Sequence, residues 1–244
     1  DQRKLEQQVF GVKSYLSKQE FDSVYKLTGI DADGRLALMK KMVSHVQRSI
    51  LKYIMFAKSI PGFLDLSNDD KIALIRGARY EYWLLGHFHH FNSKLGVNVG
   101  HDIALTKEDS HRLFGNSLAN IDVLFDFCES LRKLDISYEE SAILKGIVIL
   151  FRDRCPLKEP DKVEALQWKL IQCLKYLIKK RHPHSSTRRF TDFINKLVAM
   201  RDLTEINKQH NKRLEGFHMD IIKNHQLVYE FLMHQDFERE GEEG

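Results

Sequence analysis

Cysteines, long apolar runs and catalytic motifs are scarce or missing in this 244-residue sequence. The cysteines Cys128, Cys155 and Cys173 are odd in number, and none stands in a CxxC pair. This usage argues against a disulfide framework or a zinc site and predicts reduced thiols in an intracellular protein. The chain contains no run of about 18 apolar residues, so no transmembrane helix is expected.

Targeting and catalytic signals are also missing. No signal peptide opens the chain, and the absence of an initiator Met predicts an excised fragment of a longer protein. The sequence contains no GxSxG, no HExxH and no glycine-rich phosphate loop, so an enzyme is not expected. A net charge of +4, from 38 basic and 34 acidic residues, is too balanced to predict nucleic-acid binding by itself.

Apolar residues that recur every three or four positions predict an all-α chain. The predicted helices span residues 17–27, 35–59, 69–91, 117–134, 137–151, 161–181, 186–216 and 225–233. The segment 69–91 is apolar on nearly every side, so we expect it at the centre of a layered bundle. Glycines and alternating Val, Ile and Leu residues over 96–105 predict one small β-hairpin.

The run of residues 56–76 predicts a tight junction between two amphipathic helices. Pro61 and Gly62 cannot continue a helix, and the polar residues 67–69 offer capping oxygens for the next one. The junction leaves Lys58 and Arg76 near the ends of the two helices. Apolar residues flank these charges, which is the composition of a groove for a short partner helix; they are Ile54, Ile72 and Ile75.

The string Phe-Ala-Lys-Ser-Ile-Pro-Gly-Phe at residues 56–63 resembles the signature of nuclear hormone receptor ligand-binding domains. Lys71 departs from the pattern, because the family usually has Gln there. Residues 177–183, 195–203 and 205–210 resemble the vitamin D receptor-like branch, which also includes receptors of the nematode dauer-formation type. The resemblance covers about residues 33–233 and implies a three-layer antiparallel helical sandwich in a nuclear transcription factor.

This family likeness also implies a division of the chain. Residues 1–16 are expected to form a linker or N-terminal extension, 17–234 the ligand-binding domain, and 235–244 an acidic disordered tail. DNA would be bound only through a separate zinc domain that is absent from this sequence. No cofactor is expected apart from a steroid or lipid ligand, and no membrane partner is expected.

The helix at 225–233 resembles the family's activation helix, which completes a groove for leucine-rich LxxLL coactivator helices. Lys58 would bind the free carbonyls at one end of the partner helix, and Glu230 the free N–H groups at the other. The alternative is a surface lysine and a surface glutamate on unrelated helices. The predicted groove residues are Ile54, Lys58, Ile72, Ile75, Arg76, Leu227, Val228 and Glu230.

A lipophilic ligand is expected in an internal pocket. Most candidate residues lie in stripes on two predicted helices, and the resemblance adds Asn116 and His210. The full set is Met39, Met42, His45, Val46, Ser49, Arg79, Tyr80, Trp83, Leu84, His87, Asn116 and His210. A buried Arg79 needs an anion, either an internal carboxylate or a carboxylated sterol or fatty acid. For the apolar members the alternative is ordinary core packing.

Filling of the cavity by Met39, Met42 and Trp83 would instead give a constitutive module for coactivator binding and dimerisation. This second hypothesis keeps the fold and the groove but removes the ligand.

Glu81 and Arg154 match positions that pair in family members that form heterodimers with the retinoid X receptor. The resemblance therefore implies such a partner, with the helix at 186–216 supplying the dimer surface. An ordinary core ion pair is the alternative. The histidines His87, His89, His90, His182 and His184 do not complete a metal site, because no nearby Cys or carboxylate accompanies them. The basic residues 179–181 and 188–189 are read as a solvated face.

Overall fold

A computed structural model describes residues 16–100, 104–114, 121–212 and 217–233. Its helices, numbered in chain order, are α1 Lys18–Thr28, α2 Arg35–Ser59, α3 Asn68–Gly77, α4 Arg79–His87, α5 Lys107–Phe114, α6 Ile121–Arg132, α7 Tyr138–Ile149, α8 Pro160–Arg181, α9 Ser186–Lys212, α10 Phe217–Lys223 and α11 Gln226–Met233. The strands are β1 Phe91–Asn92, β2 Val97–Val99 and β3 Ala104–Thr106. Short 3₁₀ turns span Phe63–Asp65, Phe88–His90 and Arg152–Arg154.

The helical fold class predicted from periodicity is confirmed, with a small sheet in place of a hairpin. The sheet has the order β1-β2-β3, and both pairings are antiparallel. Phe91 pairs with Asn98, and Val97 pairs with Thr106. The sequence pattern predicts Phe91 in a helix, but its backbone forms the edge strand instead.

The predicted helix 69–91 is wrong as one continuous element. It divides into α3 and α4 at Ala78, whose backbone has φ −98° and ψ 3°. Gly77 precedes the break, and a Cβ atom there would lie 3.1 Å from Cβ of Arg154. Glycine at position 77 therefore lets the turn before α8 approach α3 without a shift.

Other boundaries differ less. Helix α2 begins and ends at the predicted residues. The sequence pattern missed α5 and α10, and the predicted helix start at 117 lies outside the described residues. Residues 1–15 and 234–244, which hold nearly all of the predicted extension and the predicted acidic tail, lie outside the described residues.

The chain folds into two compact units, each built from segments that are separated in the sequence. Unit 1 comprises Asp1–Arg48, His90–Asp126 and His210–Gly244, and unit 2 comprises Ser49–His89 and Phe127–Gln209. Within the described residues, no helix is both long enough and apolar enough to cross a membrane.

In unit 1, two sets of contacts fix the start of α1. Ser17 and Glu20 form a reciprocal capping box at its start. The Arg35 guanidinium lies 4.2 Å from the centroid of the buried Phe21 ring and donates to the Leu16 carbonyl at 2.6 Å. In the same unit α5 packs against β3, and α10 packs against α11.

In unit 2, α7 packs against both α4 and α8. Its residues Leu144, Ile147 and Val148 are at most 1% exposed. A Cβ atom on Gly146 would lie 2.7 Å from Leu170 of α8, so glycine permits the close approach of the two helices. Helix α7 is therefore enclosed between α4 and α8.

Candidate functional site

The junction between α2 and α3 has the tight turn that its sequence predicts. Gly62 has a φ of 85°, a left-handed conformation that favours glycine. A Cβ atom on Gly62 would lie 2.6 Å from Cδ2 of Leu166, so α8 also restricts this position to glycine. Ser67 caps α3 and accepts a hydrogen bond from the backbone N–H of Asp70 at 3.1 Å.

Asp70 fixes this junction to the start of α8, a role that the sequence pattern did not indicate. Its carboxylate is 1% exposed and accepts hydrogen bonds from the backbone N–H groups of Lys158 at 2.7 Å and Glu159 at 3.0 Å. Buried carboxylates require such partners. The sequence pattern gave Asp70 no role, because a contact 88 positions away leaves no local signal.

An aromatic cluster holds the last turns of α2 against α3 and α4. The Tyr53 hydroxyl donates to the carbonyl of Ile75 at 2.9 Å. The ring centroid of Tyr82 lies 4.2 Å from that of Tyr53 and 5.3 Å from that of Phe56. Burial raises the pKa of Tyr53 well above its usual value, with smaller contributions from Tyr82 and Glu81. The hydroxyl therefore stays protonated and keeps its hydrogen bond.

The predicted groove residues of unit 2 belong to α2 and α3, the helices that the Tyr53–Ile75 hydrogen bond joins. Lys58 is exposed, Ile72 is 49% exposed, and the side chains of Ile54, Ile75 and Arg76 are half-buried. Apolar side chains that are partly exposed on two helices can be buried by the apolar surface of a binding partner.

Two exposed apolar residues beside Lys58 were missed. Leu51 is 51% exposed and Met55 is 71% exposed, although both belong to α2. They precede Lys58 by seven and three positions, which places all three on one face of the helix. The i, i+4, i+7 spacing of Leu51, Met55 and Lys58 was the available signal.

The predicted groove residues of α11 belong to unit 1. Glu230 is half-buried, and its carboxylate accepts a hydrogen bond from the Gln226 amide at 2.7 Å. Leu227 is half-buried, whereas Val228 is 0% exposed. Val228 therefore packs as a core residue in this position of α11, and its assignment to the groove stays a prediction.

Three predicted pocket residues form a continuous stack along α4. The ring centroids of Tyr80 and Trp83 are 5.7 Å apart, and those of Trp83 and His87 are 5.3 Å apart. Nδ1 of His87 lies 2.7 Å from the Trp83 carbonyl oxygen, so it carries the proton and donates. Burial raises the pKa of the Tyr80 hydroxyl.

Arg79 is 8% exposed and donates from Nη1 to the Arg76 carbonyl at 3.1 Å. Leu84, its neighbour on α4, is 0% exposed, and Ser49 is half-buried. These values are compatible with pocket lining and with core packing, so the role of each residue stays a prediction.

The other predicted pocket residues belong to unit 1. Met39 is 2% exposed, and the side chains of Met42, His45 and Val46 are half-buried. Asn116 and the side chain of His210 lie outside the described residues.

Glu81 and Arg154 are in direct contact within unit 2. Arg154 Nη2 lies 2.5 Å from Glu81 Oε1, and the two side chains are 11% and 0% exposed. The Arg154 guanidinium also lies 4.9 Å from the centroid of the Phe151 ring. The ion pair joins α4 to the loop before α8, and its proposed link to dimerisation stays a prediction. Among the described residues, no group of three or more His, Cys, Asp or Glu could hold a metal ion.

Comparisons with known proteins identify the family. Residues 35–218 match the model of the ligand-binding domain of nuclear hormone receptor. The vitamin D3 receptor of Xenopus laevis is 31% identical over 209 residues, which cover 85% of this chain and 48% of that protein. Nuclear receptor subfamily 1 group D member 2 of Rattus norvegicus is 30% identical over 170 residues, or 69% of this chain and 28% of that protein.

The chain thus spans about half or less of the length of these relatives. The family match covers α2 through the start of α10, including the junction, the aromatic cluster and the Glu81–Arg154 pair. On these grounds the chain belongs to the family of nuclear hormone receptor ligand-binding domains.

Proposed function

We propose that the chain is the ligand-regulated module of a nuclear transcription factor, which recruits LxxLL coactivator helices. The observation that carries this proposal is that the exposed Leu51 and Met55 share a face of α2 with Lys58, while Ile72 of α3 is 49% exposed. Fully burying one leucine side chain of a partner helix is worth about 1.5–3 kcal/mol. A lysine at the end of such a stripe can bind the carbonyl groups that end the partner helix.

Glu230 is proposed to bind the N–H groups at the start of the coactivator helix. We expect Glu230→Lys to weaken binding of a labelled LxxLL peptide at least tenfold, because a cation would then meet the positive end of the helix. Fluorescence anisotropy measures the affinity, and circular dichroism checks the fold. Asp126→Lys is the matched control, since it makes the same charge change at an exposed residue of α6. Unchanged peptide binding by Glu230→Lys would contradict the clamp.

A steroid or related lipid is proposed as the ligand, with a carboxylate facing Arg79. Support comes from the burial of Arg79, which is 8% exposed, since a buried cation favours an anionic neighbour. The alternative is a constitutive module whose cavity is filled by Met39, Met42 and Trp83. Met39 is only 2% exposed, which either hypothesis accommodates.

A matched pair of sterols, one acid and one alcohol, separates these hypotheses. We expect native mass spectrometry to detect the acid bound to the wild type. Arg79→Met should bind the acid at least tenfold more weakly and bind the alcohol with unchanged affinity. Arg79→Lys should retain part of the acid binding, because the charge remains. A folded domain that binds neither sterol supports the constitutive alternative. Equal binding of the acid by Arg79→Met would contradict the carboxylate contact.

The dimer partner, the localisation and the mode of DNA contact are proposed from the family resemblance. Glu81 and Arg154 support membership of the class that pairs with a retinoid X receptor-type partner, with α9 as the dimer surface. Val198 of α9 is 58% exposed, as a residue of such a surface would be before association. We propose nuclear localisation, DNA contact through a separate zinc domain, and kinship with the nematode dauer-formation steroid receptors. No enzymatic activity is proposed, in keeping with a family of transcription regulators.

A further inference from the structure

The near-balanced charge of the chain conceals a strongly basic segment. Residues 165–191 contain seven Lys and Arg residues and no Asp or Glu. The rest of the chain therefore holds 31 basic and 34 acidic residues. The basic segment coincides with most of α8, the turn that follows it, and the first residues of α9.

Two of these seven cations are already engaged. Arg189 binds the buried Glu140 at 2.7 Å, and Arg181 binds Glu139 at 2.9 Å. Four others are exposed lysines of α8 for which the described residues supply no carboxylate partner; they are Lys169, Lys175, Lys179 and Lys180. A structural role explains the two arginines but not the four lysines.

Two large aromatic side chains share the exposed face of α8 with these lysines. Trp168 is 57% exposed and Tyr176 is 70% exposed. The Lys175 ammonium lies 5.6 Å from the centroid of the Trp168 ring. Helical spacing places Trp168, Lys175 and Lys179 in one row and Lys169, Tyr176 and Lys180 in the next. From Lys169 to Lys180 the face extends about 16 Å along the axis, at about 1.5 Å per residue.

We propose that this face of α8 binds single-stranded nucleic acid, with phosphates on the lysines and bases stacked on Trp168 and Tyr176. Cations alternating with exposed aromatic rings are the elements of sequence-independent single-strand binding. A duplex would use the lysines but not the rings, because its bases are already stacked. Exposed Trp and Tyr residues also occur in protein–protein interfaces, so an oligoglutamate peptide is a competitor in the test below. The proposal does not depend on the proposed ligand or coactivator.

Salt dependence tests the phosphate contacts. We expect the chain to bind a labelled 12-nucleotide RNA or DNA strand with a Kd of about 1–100 µM. With about four phosphate contacts, the slope of log K against log salt should be near −3. Lys179→Glu/Lys180→Glu should weaken binding at least tenfold at low salt and bring the slope to about −1.4. Anisotropy with the two strands reports whether the 2′-hydroxyl contributes, and either strand binding supports the proposal.

The matched control is Lys40→Glu/Lys41→Glu, which makes the same charge change at two exposed residues of α2. We expect it to reduce affinity by less than threefold. Equal losses in the two double variants would overturn the proposal, because net charge rather than the α8 face would then control binding.

Stacking is tested at Trp168. We expect Trp168→Ala to weaken single-strand binding by about five- to a hundredfold without changing the salt slope, and Trp168→Phe to restore most of it. Quenching of Trp168 emission, obtained by subtracting the Trp168→Phe signal, should accompany binding. Three results would overturn the proposal: a duplex bound as tightly as the single strand, preference for an oligoglutamate peptide, or preference for anionic phospholipid vesicles over the strand.

Discussion

Replacing Arg189 by Met should lower the free energy of unfolding by about 3–5 kcal/mol, because it removes the cation that compensates a buried carboxylate. For a chain of this size, the expected fall in melting temperature is about 6–20 °C. Urea denaturation followed by circular dichroism measures the change, and a shifted midpoint at constant slope identifies a stability effect.

The expected size follows from the contacts of Arg189. Its guanidinium donates to both oxygens of Glu140, at 2.9 and 2.7 Å, and to the carbonyls of Leu134 and Asp135, each at 2.9 Å. Its Cζ atom also lies 4.9 Å from the centroid of the Phe193 ring. One side chain therefore holds α9, the start of α7 and the turn between α6 and α7 together.

Neighbouring variants separate this role from general effects of charge. Arg188→Met removes an exposed cation one position away and should cost less than about 0.5 kcal/mol. Arg189→Lys keeps the charge but loses the planar fork, so an intermediate loss is expected. The double variant Glu140→Leu/Arg189→Met should recover part of the stability, since it leaves no buried charge. A loss below about 1 kcal/mol for Arg189→Met would contradict the proposed role.

Acid titration provides a second measurement. Burial raises the pKa of Glu140, but hydrogen bonds from Arg189 and Ser137 outweigh it, and the net pKa is lowered. A lowered pKa contributes stability above the unfolded value of about 4.3, and this contribution is lost as pH falls through the folded value. The wild type should therefore lose its advantage over Arg189→Met below about pH 4.

Local signals predicted the elements that depend on nearby residues. The Pro61–Gly62 turn, the Ser67 cap and the limits of α2 all follow from short-range chemistry. The family signature at 56–63 extended these to a fold class. In contrast, the apolar pattern over 69–91 did not predict the division between α3 and α4 at Ala78, where Gly77 lies close to a residue 77 positions later, Arg154.

Some site residues were predicted and others were missed, because local sequence signals do not show contacts between distant parts of the chain. The contact between Glu81 and Arg154 was named from the resemblance, and the structure contains it. Val228 has the spacing of a groove residue, yet only tertiary packing shows that it is buried. Asp70 and Arg189 were missed because their partners lie 49–89 positions away. The basic residues 179–181 and 188–189 were predicted to be a solvated face, since sequence alone does not reveal that Trp168 and Tyr176 are exposed beside the lysines of α8.

Replacing Arg154 by Met should also cost about 3–5 kcal/mol, because Glu81 is 0% exposed and would lose the cation that faces it at 2.5 Å. Arg152→Met is the matched control. Arg152 binds Glu164 at 2.9 Å, but both side chains are more than half exposed, so a loss of at most about 1 kcal/mol is expected. Urea denaturation of both variants measures the difference, and equal losses would contradict the burial argument.

A stability measurement does not show whether the Glu81–Arg154 pair is only a core ion pair or also determines dimerisation. The association of a folded variant that lacks the pair distinguishes these two roles. Glu81→Leu/Arg154→Met removes both charges and should recover part of the lost stability. Sedimentation velocity of this double variant with a retinoid X receptor ligand-binding domain then isolates the second role. The proposed heterodimer class requires the double variant to associate at least tenfold more weakly than wild type, while Arg152→Met associates normally. If the folded double variant associates like wild type, the pair serves only to join α4 to the loop before α8.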